Sequence, residues 1–387
     1  MDKQGLNAVD KIKKEFLKCR AKNSGGSFWP GACALEMDPC ILSKLSENTN
    51  NILITGTNGK TTTTHMVVHM LKNLGISCIT NRSGANRDTG IITAYGLGTD
   101  ENGIPIARQA IMECDEKYFC EVALQVDPEL VVLTNLSEDQ QSRLINPYVV
   151  YENVLSAVRQ TNAIVCVNDK CECFRQIESE LPAHRIIRFS TSNRTVIVDN
   201  NVFDIDIELP GAYNYENLAA SAAVLYAKEL KNFKFSQLLK GFVFPFGRLE
   251  TFKVENTDVT INLAKNKVGV TQTLDLIVEQ NPDCFVVMGF NTNSQDGTDP
   301  SWIDTIEWSS YRNALMNAYT YGAASQKTKN TLEKAGISST EIRNFDDLYH
   351  IMINSKKPVF MVLNYTCMQE TRNKLSDMGY VKSFWEM

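Results

Sequence analysis

The spacing of apolar residues changes rhythm along the chain. Up to about residue 48 it is helical: one helix is predicted over Asp10 to Cys19, then a Gly-Ser loop at Ser24 to Ser27, then a short helix around Cys40 to Leu45. From Asn51 short apolar runs alternate with helical ones. Ile52-Leu53-Ile54-Thr55 reads as a buried strand, and Met66, Val67, Met70, Leu71 and Leu74 lie at helical spacing on a helix that stops at Gly75. Ile76 to Thr80, Ala107 to Glu113, Leu130 to Thr134 and Ala163 to Asn168 read as further strands. Alternation of this kind predicts βαβ units, hence a mostly parallel sheet with helices on both faces.

Around Thr195 to Glu208 the period falls to two, with Val196, Val198, Phe203, Ile205 and Ile207 on either side of Asn200-Asn201, the pattern of a β-hairpin. A long helix is predicted from about Asn214 to Leu230, and Gly241 to Gly247 reads as a linker. The alternation then restarts with strands at Val259 to Leu263, Cys284 to Gly289, Ala318 to Tyr321 and Pro358 to Leu363. The expected class is α/β. The expected division is an N-terminal helical segment over 1–48, a central α/β domain over 49–246 and a smaller α/β domain over 247–387.

Composition narrows the function. The chain has 387 residues, 45 acidic against 39 basic, and a net charge of −6, which disfavours gripping nucleic acid by bulk electrostatics. Met1 to Arg20 has no uninterrupted apolar core and so does not read as a leader peptide. No run approaches the roughly 18 apolar residues of a spanning helix. Eleven cysteines are scattered, and the one cluster, Cys166, Cys171 and Cys173, lacks the paired spacing of a zinc ribbon. Reduced thiols in a cytoplasmic protein are expected, and no zinc.

The sharpest chemical signal is Thr55-Gly56-Thr57-Asn58-Gly59-Lys60-Thr61-Thr62-Thr63-Thr64, set between a buried strand and an amphipathic helix. There, backbone N–H groups and a helix N-terminus converge on an anion. Gly56 and Gly59 permit close backbone approach, Lys60 can pair β- and γ-phosphate oxygens, and the Thr61 hydroxyl can ligate Mg²⁺. Ile54 stands where the strict Walker pattern has its first glycine. Glu113-Cys114-Asp115-Glu116 ends a predicted strand, where the crevice rule for parallel sheets places a Mg²⁺ ligand. Thr134-Asn135 ends the next strand and could meet water or phosphate.

Taken together these residues resemble the ATP-dependent Mur ligase superfamily, whose phosphate loop is G-T-x-G-K-T as at Gly56 to Thr61. Further motifs are similar to those of the MurT family, the ligase subunits of lipid II isoglutaminyl synthase. These are Asn81-Arg82-Ser83-Gly84-Ala85-Asn86, Glu113 to Glu116, Thr134-Asn135-Leu136 with Asp139-Gln140, Asn262-Leu263-Ala264-Lys265-Asn266, Asp296 to Ile303, and Asn364-Tyr365-Thr366. The resemblance spans roughly residues 50 to 385.

The resemblance implies a ligase that activates a carboxylate with ATP as an acyl phosphate, which an amine displaces. For MurT-type chains the amine is ammonia from a GatD-like class I glutamine amidotransferase partner, and the carboxylate is the α-carboxyl of D-glutamate in a lipid-linked peptidoglycan precursor. By that likeness Gly56, Thr57, Asn58, Gly59, Lys60, Thr61, Thr62 and Asn135 surround the nucleotide, and Thr61 and Glu113 hold Mg²⁺. Asn214, Asn217 and the Gly247-Arg248 pair read adenine, and Asp347 and His350 lie near ammonia delivery. A hinge is expected at Phe246-Gly247.

The chain also departs from that pattern. No zinc ribbon follows Asn168-Asp169, Glu138 and Ser142 replace an Arg and an Asp, and Asn266-Lys267-Val268-Gly269 replaces N-P-A-G. Only about 50 residues precede the loop, so no N-terminal UDP-binding domain is expected. Two other readings stay open: a Mur-type ligase joining an amino acid to a different carboxylate, and an ATP-binding subunit without catalysis.

Overall fold

The computed structural model describes the chain except residues 22–27, 82–84, 136–146, 172–174, 281–282, 317 and 384–387. The chain folds as two compact units, the first drawn mainly from residues up to Val243 and the second mainly from Phe244 onward, with Pro210–Ala212 also in the second.

The first unit opens with helices α1 (Lys3–Ala21), α2 (Phe28–Met37) and α3 (Ile41–Ser46). They are not a detached segment. Ala8, Val9, Ile12, Ala34, Ile41, Leu42 and Leu45 share one apolar cluster with Leu53, Ile91, Tyr95 and Met112. Helix α2 was not anticipated, because Pro30 and Gly31 mask its pattern; the proline sits in the first turn, where it removes no helical hydrogen bond.

Next come β1 (Asn50–Thr55), α4 (Lys60–Asn73), β2 (Cys78–Thr80), α5 (Asp88–Leu97), β3 (Gln109–Glu113), α6 (Phe119–Val126), β4 (Leu130–Leu133), α7 (Pro147–Gln160), β5 (Ile164–Asn168) and α8 (Arg175–Glu180). The hairpin follows as β6 (Ile186–Ser192), β7 (Thr195–Val198) and β8 (Asn201–Asp204), then α9 (Ala212–Ala227) and α10 (Phe235–Leu238). The sheet order is β2-β3-β1-β4-β5-β6-β7-β8. β2 to β6 pair in parallel, and β6-β7-β8 are antiparallel. The strand after β1 in sequence lies to one side and β4 to the other, so the chain changes direction at the carboxyl end of β1. That crevice is where open α/β sheets bind ligands.

The second unit contains β9 (Glu250–Val254), β10 (Thr257–Leu263), α11 (Lys267–Gln280), β11 (Phe285–Gly289), β12 (Ala318–Tyr321), α12 (Ser325–Lys334), β13 (Ser339–Glu341), α13 (Phe345–Asn354), β14 (Val359–Leu363) and α14 (Tyr365–Asp377). Its sheet runs β13-β12-β11-β14-β10-β9, parallel except for the β9-β10 pair. β9 and β13 went unread from sequence: Glu250 to Val254 alternates weakly, and β13 is three residues long.

Phe246 and Gly247, where the hinge is expected, lie at the start of the second unit's main segment. The Arg372 guanidinium lies 4.4 Å from the centre of the Phe246 ring, and the Gly247 N–H donates to Glu250 at 3.2 Å. A Cβ on Gly247, at φ +64°, would come within 2.8 Å of Met368 Sδ.

Candidate active site

The loop from Thr55 to Lys60 joins β1 to α4, and two residues at the end of β4 fix its shape. The Thr57 N–H donates to the Asn135 carbonyl at 2.8 Å. The Asn135 carboxamide accepts from the Asn58 N–H at 3.0 Å and donates to the Asn58 carbonyl at 2.9 Å. The Thr134 hydroxyl donates to the same carbonyl at 2.7 Å. Asn135, expected at the nucleotide, therefore braces the loop with both ends of its side chain.

Both loop glycines have positive φ, 130° at Gly56 and 87° at Gly59, and both are closely approached. A Cβ would lie 2.3 Å from Thr134 Oγ1 at Gly56, and 2.3 Å from Asn217 Oδ1 at Gly59. Gly59 is the N-cap of α4, so the N–H groups of Lys60, Thr61 and Thr62 in the first turn have no helical acceptor and face the loop. Thr61 is half-buried at this rim.

Asn214 and Asn217 are buried on the first turns of α9. Asn217 donates to Asn214 Oδ1 at 3.0 Å and accepts from the Thr63 hydroxyl at 3.4 Å. This pair packs against the start of α4, a contact that the sequence did not reveal.

Lys60 is only 7 % exposed and Glu116 only 9 %. The Lys60 ammonium donates to Glu116 Oε2 at 2.9 Å, to the Thr57 carbonyl at 3.2 Å and to the Gly56 carbonyl. Burial pulls its pKa down, but the carboxylates of Glu116 and Glu113 outweigh that and hold it above the ordinary lysine value.

Glu113, at the end of β3, is oriented by two asparagines. Its Oε1 accepts from Asn86 at 2.8 Å, and its backbone N–H and carbonyl both pair with the Asn81 carboxamide, at 2.9 and 2.8 Å. Asn81 and Asn86 are the two ends of the motif singled out in sequence, of which Arg82, Ser83 and Gly84 lie outside the described residues. Burial raises the pKa of the Cys114 thiol between the acidic residues, so it behaves as packing. Leu136, Glu138, Asp139, Gln140 and Ser142, and Cys173 of the cysteine cluster, also lie outside the described residues. Among those described, no group of three or more His, Cys, Asp or Glu is gathered for a metal ion.

The other expected site residues belong to the second unit. Arg248 stands just ahead of β9. Asp347 and His350 are exposed on one face of α13, and the Asp347 N–H is capped by Asn344 Oδ1 at 2.9 Å. Elsewhere in this unit two signature motifs about 70 residues apart converge: buried Asp296 accepts from the Thr366 N–H at 2.9 Å and from its hydroxyl. Asn291 and Asn293 donate to the same Thr366 hydroxyl at 3.1 and 3.0 Å. In the other motif Asn266 Oδ1 accepts from the Gly269 N–H at 2.8 Å, capping α11. A cleft of about 410 Å³ opens at the carboxyl ends of β12 and β13, lined by Glu341, Arg343, Glu370 and Lys374 among others.

Glu116 stands within a motif legible in the sequence, but no role was expected of it. The signal available was a second Glu three residues after Glu113, one turn further from the strand end.

A phosphate loop at the switch point of a parallel sheet, followed by a second α/β unit, is the architecture of the Mur ligases, and comparison with known proteins agrees. The Mur ligase middle domain matches residues 54–225 and the MurT ligase C-terminal domain matches residues 263–368. The chain thus carries a Mur ligase middle domain followed by a MurT-type C-terminal domain. It is 27 % identical to the MurT subunit of lipid II isoglutaminyl synthase from Streptococcus pneumoniae, over 92 % of this chain and 94 % of the relative. To the MurT subunit from Staphylococcus aureus strain COL it is also 27 % identical, over 73 % and 77 %. MurF from Acinetobacter baumannii shares the fold with a TM-score of 0.65 at 14 % identity, over 89 % of this chain and 80 % of that one. Folylpolyglutamate synthase from Mycobacterium tuberculosis gives 0.67 at 12 %, over 97 % and 95 %. Among the described residues no helix is long and apolar enough to cross a membrane.

Proposed function

We propose that the chain is the carboxylate-activating subunit of an ATP-dependent amide ligase. It would convert the α-carboxyl of D-glutamate in a lipid-linked stem peptide to an acyl phosphate, for amidation by ammonia from a glutaminase partner. The observation that carries this reading is the braced loop, with its two positive-φ glycines, buried Lys60 and first-turn α4 amides without a helical acceptor, in a chain whose second half matches the MurT C-terminal domain.

The residues fit a Mg-nucleotide. The cradle at Gly56 and Gly59 is one that a Cβ would fill, and Thr61 and Glu113 supply hard oxygen donors suited to Mg²⁺. Bound there, Mg²⁺ would neutralise charge on the transferring phosphoryl group. The chain's own part is electrostatic: α4 amides and the Lys60 ammonium stabilise the phosphates, while Asn81 and Asn86 hold Glu113 in place. Exclusion of water protects the acyl phosphate until the amine arrives.

The cleft in the second unit favours a second reading. Arg343 and Lys374 beside Glu341 and Glu370 could hold the carboxylate and amine of an amino acid, as a ligase joining an amino acid to another carboxylate would need. One assay separates the two: ATP turnover with ammonia, against turnover with a panel of free amino acids, each on stem peptides bearing D-glutamate and on a panel of other carboxylates. Ammonia bypasses the partner. Amino-acid-dependent product, with none from ammonia, would remove the first reading.

A further inference from the structure

We propose that Glu116 is a positioning residue that stores the Lys60 ammonium inside the loop and releases it to the incoming phosphates. The proposal rests on the nucleotide-binding reading above and extends it to how the loop is kept ready. A lysine ammonium has three donors. All three are engaged here, by the Gly56 carbonyl, the Thr57 carbonyl and Glu116 Oε2. Lys60 therefore cannot reach a phosphate without giving one up.

The charged partner is the one that a phosphate replaces like for like. The two carbonyls are part of the loop and travel with Lys60. Glu116 comes from a different element, in the turn between β3 and α6, and its backbone is anchored. The Glu116 carbonyl accepts from Asn153 of α7 at 2.9 Å, and the neighbouring Lys117 carbonyl accepts from the same side-chain nitrogen at 2.9 Å. A buried ammonium left without a counter-charge is costly. Glu116 supplies that charge before nucleotide arrives, and the phosphates supply it afterwards. The exchange makes Glu116 a competitor for Lys60: it lowers nucleotide affinity while keeping the loop formed.

The test is nucleotide titration of the full chain by calorimetry, with Mg-ATP and Mg-ADP. Glu116→Gln keeps an acceptor but removes the charge, so both nucleotides should bind severalfold tighter. Glu121→Gln removes an exposed charge further along, on α6, and should change affinity by less than about twofold. In a Lys60→Ala background, Glu116→Gln should have no effect, because its influence passes through Lys60. Glu116→Asp, which keeps the charge but draws it back, should fall between wild type and Glu116→Gln, and carries the test if the amide variant fails to fold. Unchanged or weaker binding by Glu116→Gln and Glu116→Asp, or an equal effect of Glu116→Gln with and without Lys60, overturns the proposal alone. Absence of nucleotide binding by the wild-type chain overturns it together with the nucleotide reading.

Discussion

The Asn135 carboxamide pairs with both the N–H and the carbonyl of Asn58, at 3.0 and 2.9 Å, and so sets the loop's shape from the neighbouring strand. Asn135→Ala removes both bonds. At about 1 kcal/mol for each, the loop loses order rather than the domain its fold. ATP affinity is expected to weaken about tenfold, with the unfolding midpoint little changed. Calorimetric titration alongside thermal unfolding checks this.

Gly59 is constrained twice, by its φ of 87° and by the nearness of Asn217 Oδ1. Gly59→Ala incurs about 1–2 kcal/mol for the left-handed backbone, plus the clash with Asn217. Pairing it with Asn217→Ala relieves only the clash. The double variant is expected to bind ATP better than Gly59→Ala alone, yet still more weakly than Asn217→Ala. Additive losses in the cycle would mean that the two residues do not touch in solution.

Arg372 is 1 % exposed and forks onto Glu250 with bonds of 2.8 to 3.1 Å, with a further bond to the Lys382 carbonyl at 2.7 Å. Arg372→Met strands a carboxylate and should destabilise the second unit by about 3–5 kcal/mol. Replacing both partners, Arg372→Met with Glu250→Leu, should cost less than the single change. Urea unfolding followed by the fluorescence of Trp302 and Trp308, both in that unit, reads the difference.

Lys60 titrates above the ordinary lysine value because nearby carboxylates outweigh its burial. A raised folded pKa means that the stabilisation is complete below the unfolded value and is lost only as pH climbs through the folded one. ATP affinity should therefore stay flat from neutral pH to about 10, the ordinary lysine range. A fall in affinity beginning near pH 9, absent in Lys60→Ala, would contradict the buried ion pair.

The strands around the loop were legible because β1, β4 and β5 are short, unbroken apolar runs, and Gly56 and Lys60 stand where strand meets helix. Helices α2 and α5 were harder. Pro30 and Gly31 in one, and Thr89, Gly90, Thr93 and Gly96 in the other, dilute the apolar period, and their burial comes from tertiary contact. For example, a Cβ on Gly96 would stand 2.4 Å from Ile12 of α1. The bracing roles of Asn135 and Asn217 were not legible either, since a side chain that turns back onto a loop leaves no spacing signal. The Lys60–Glu116 pair joins residues 56 positions apart, beyond any local pattern.

The central claim is that this chain amidates a carboxylate at the expense of ATP, through the Lys60 loop. The direct measurement is mass-spectrometric detection of the amide from a lipid-linked stem peptide bearing D-glutamate, with ATP and isotopically labelled ammonia, and ADP counted in parallel. The account predicts one labelled nitrogen per ADP formed and a loss of about a hundredfold or more in Lys60→Ala. ADP release with no label in the peptide, or amide formation unaffected by Lys60→Ala, would contradict it.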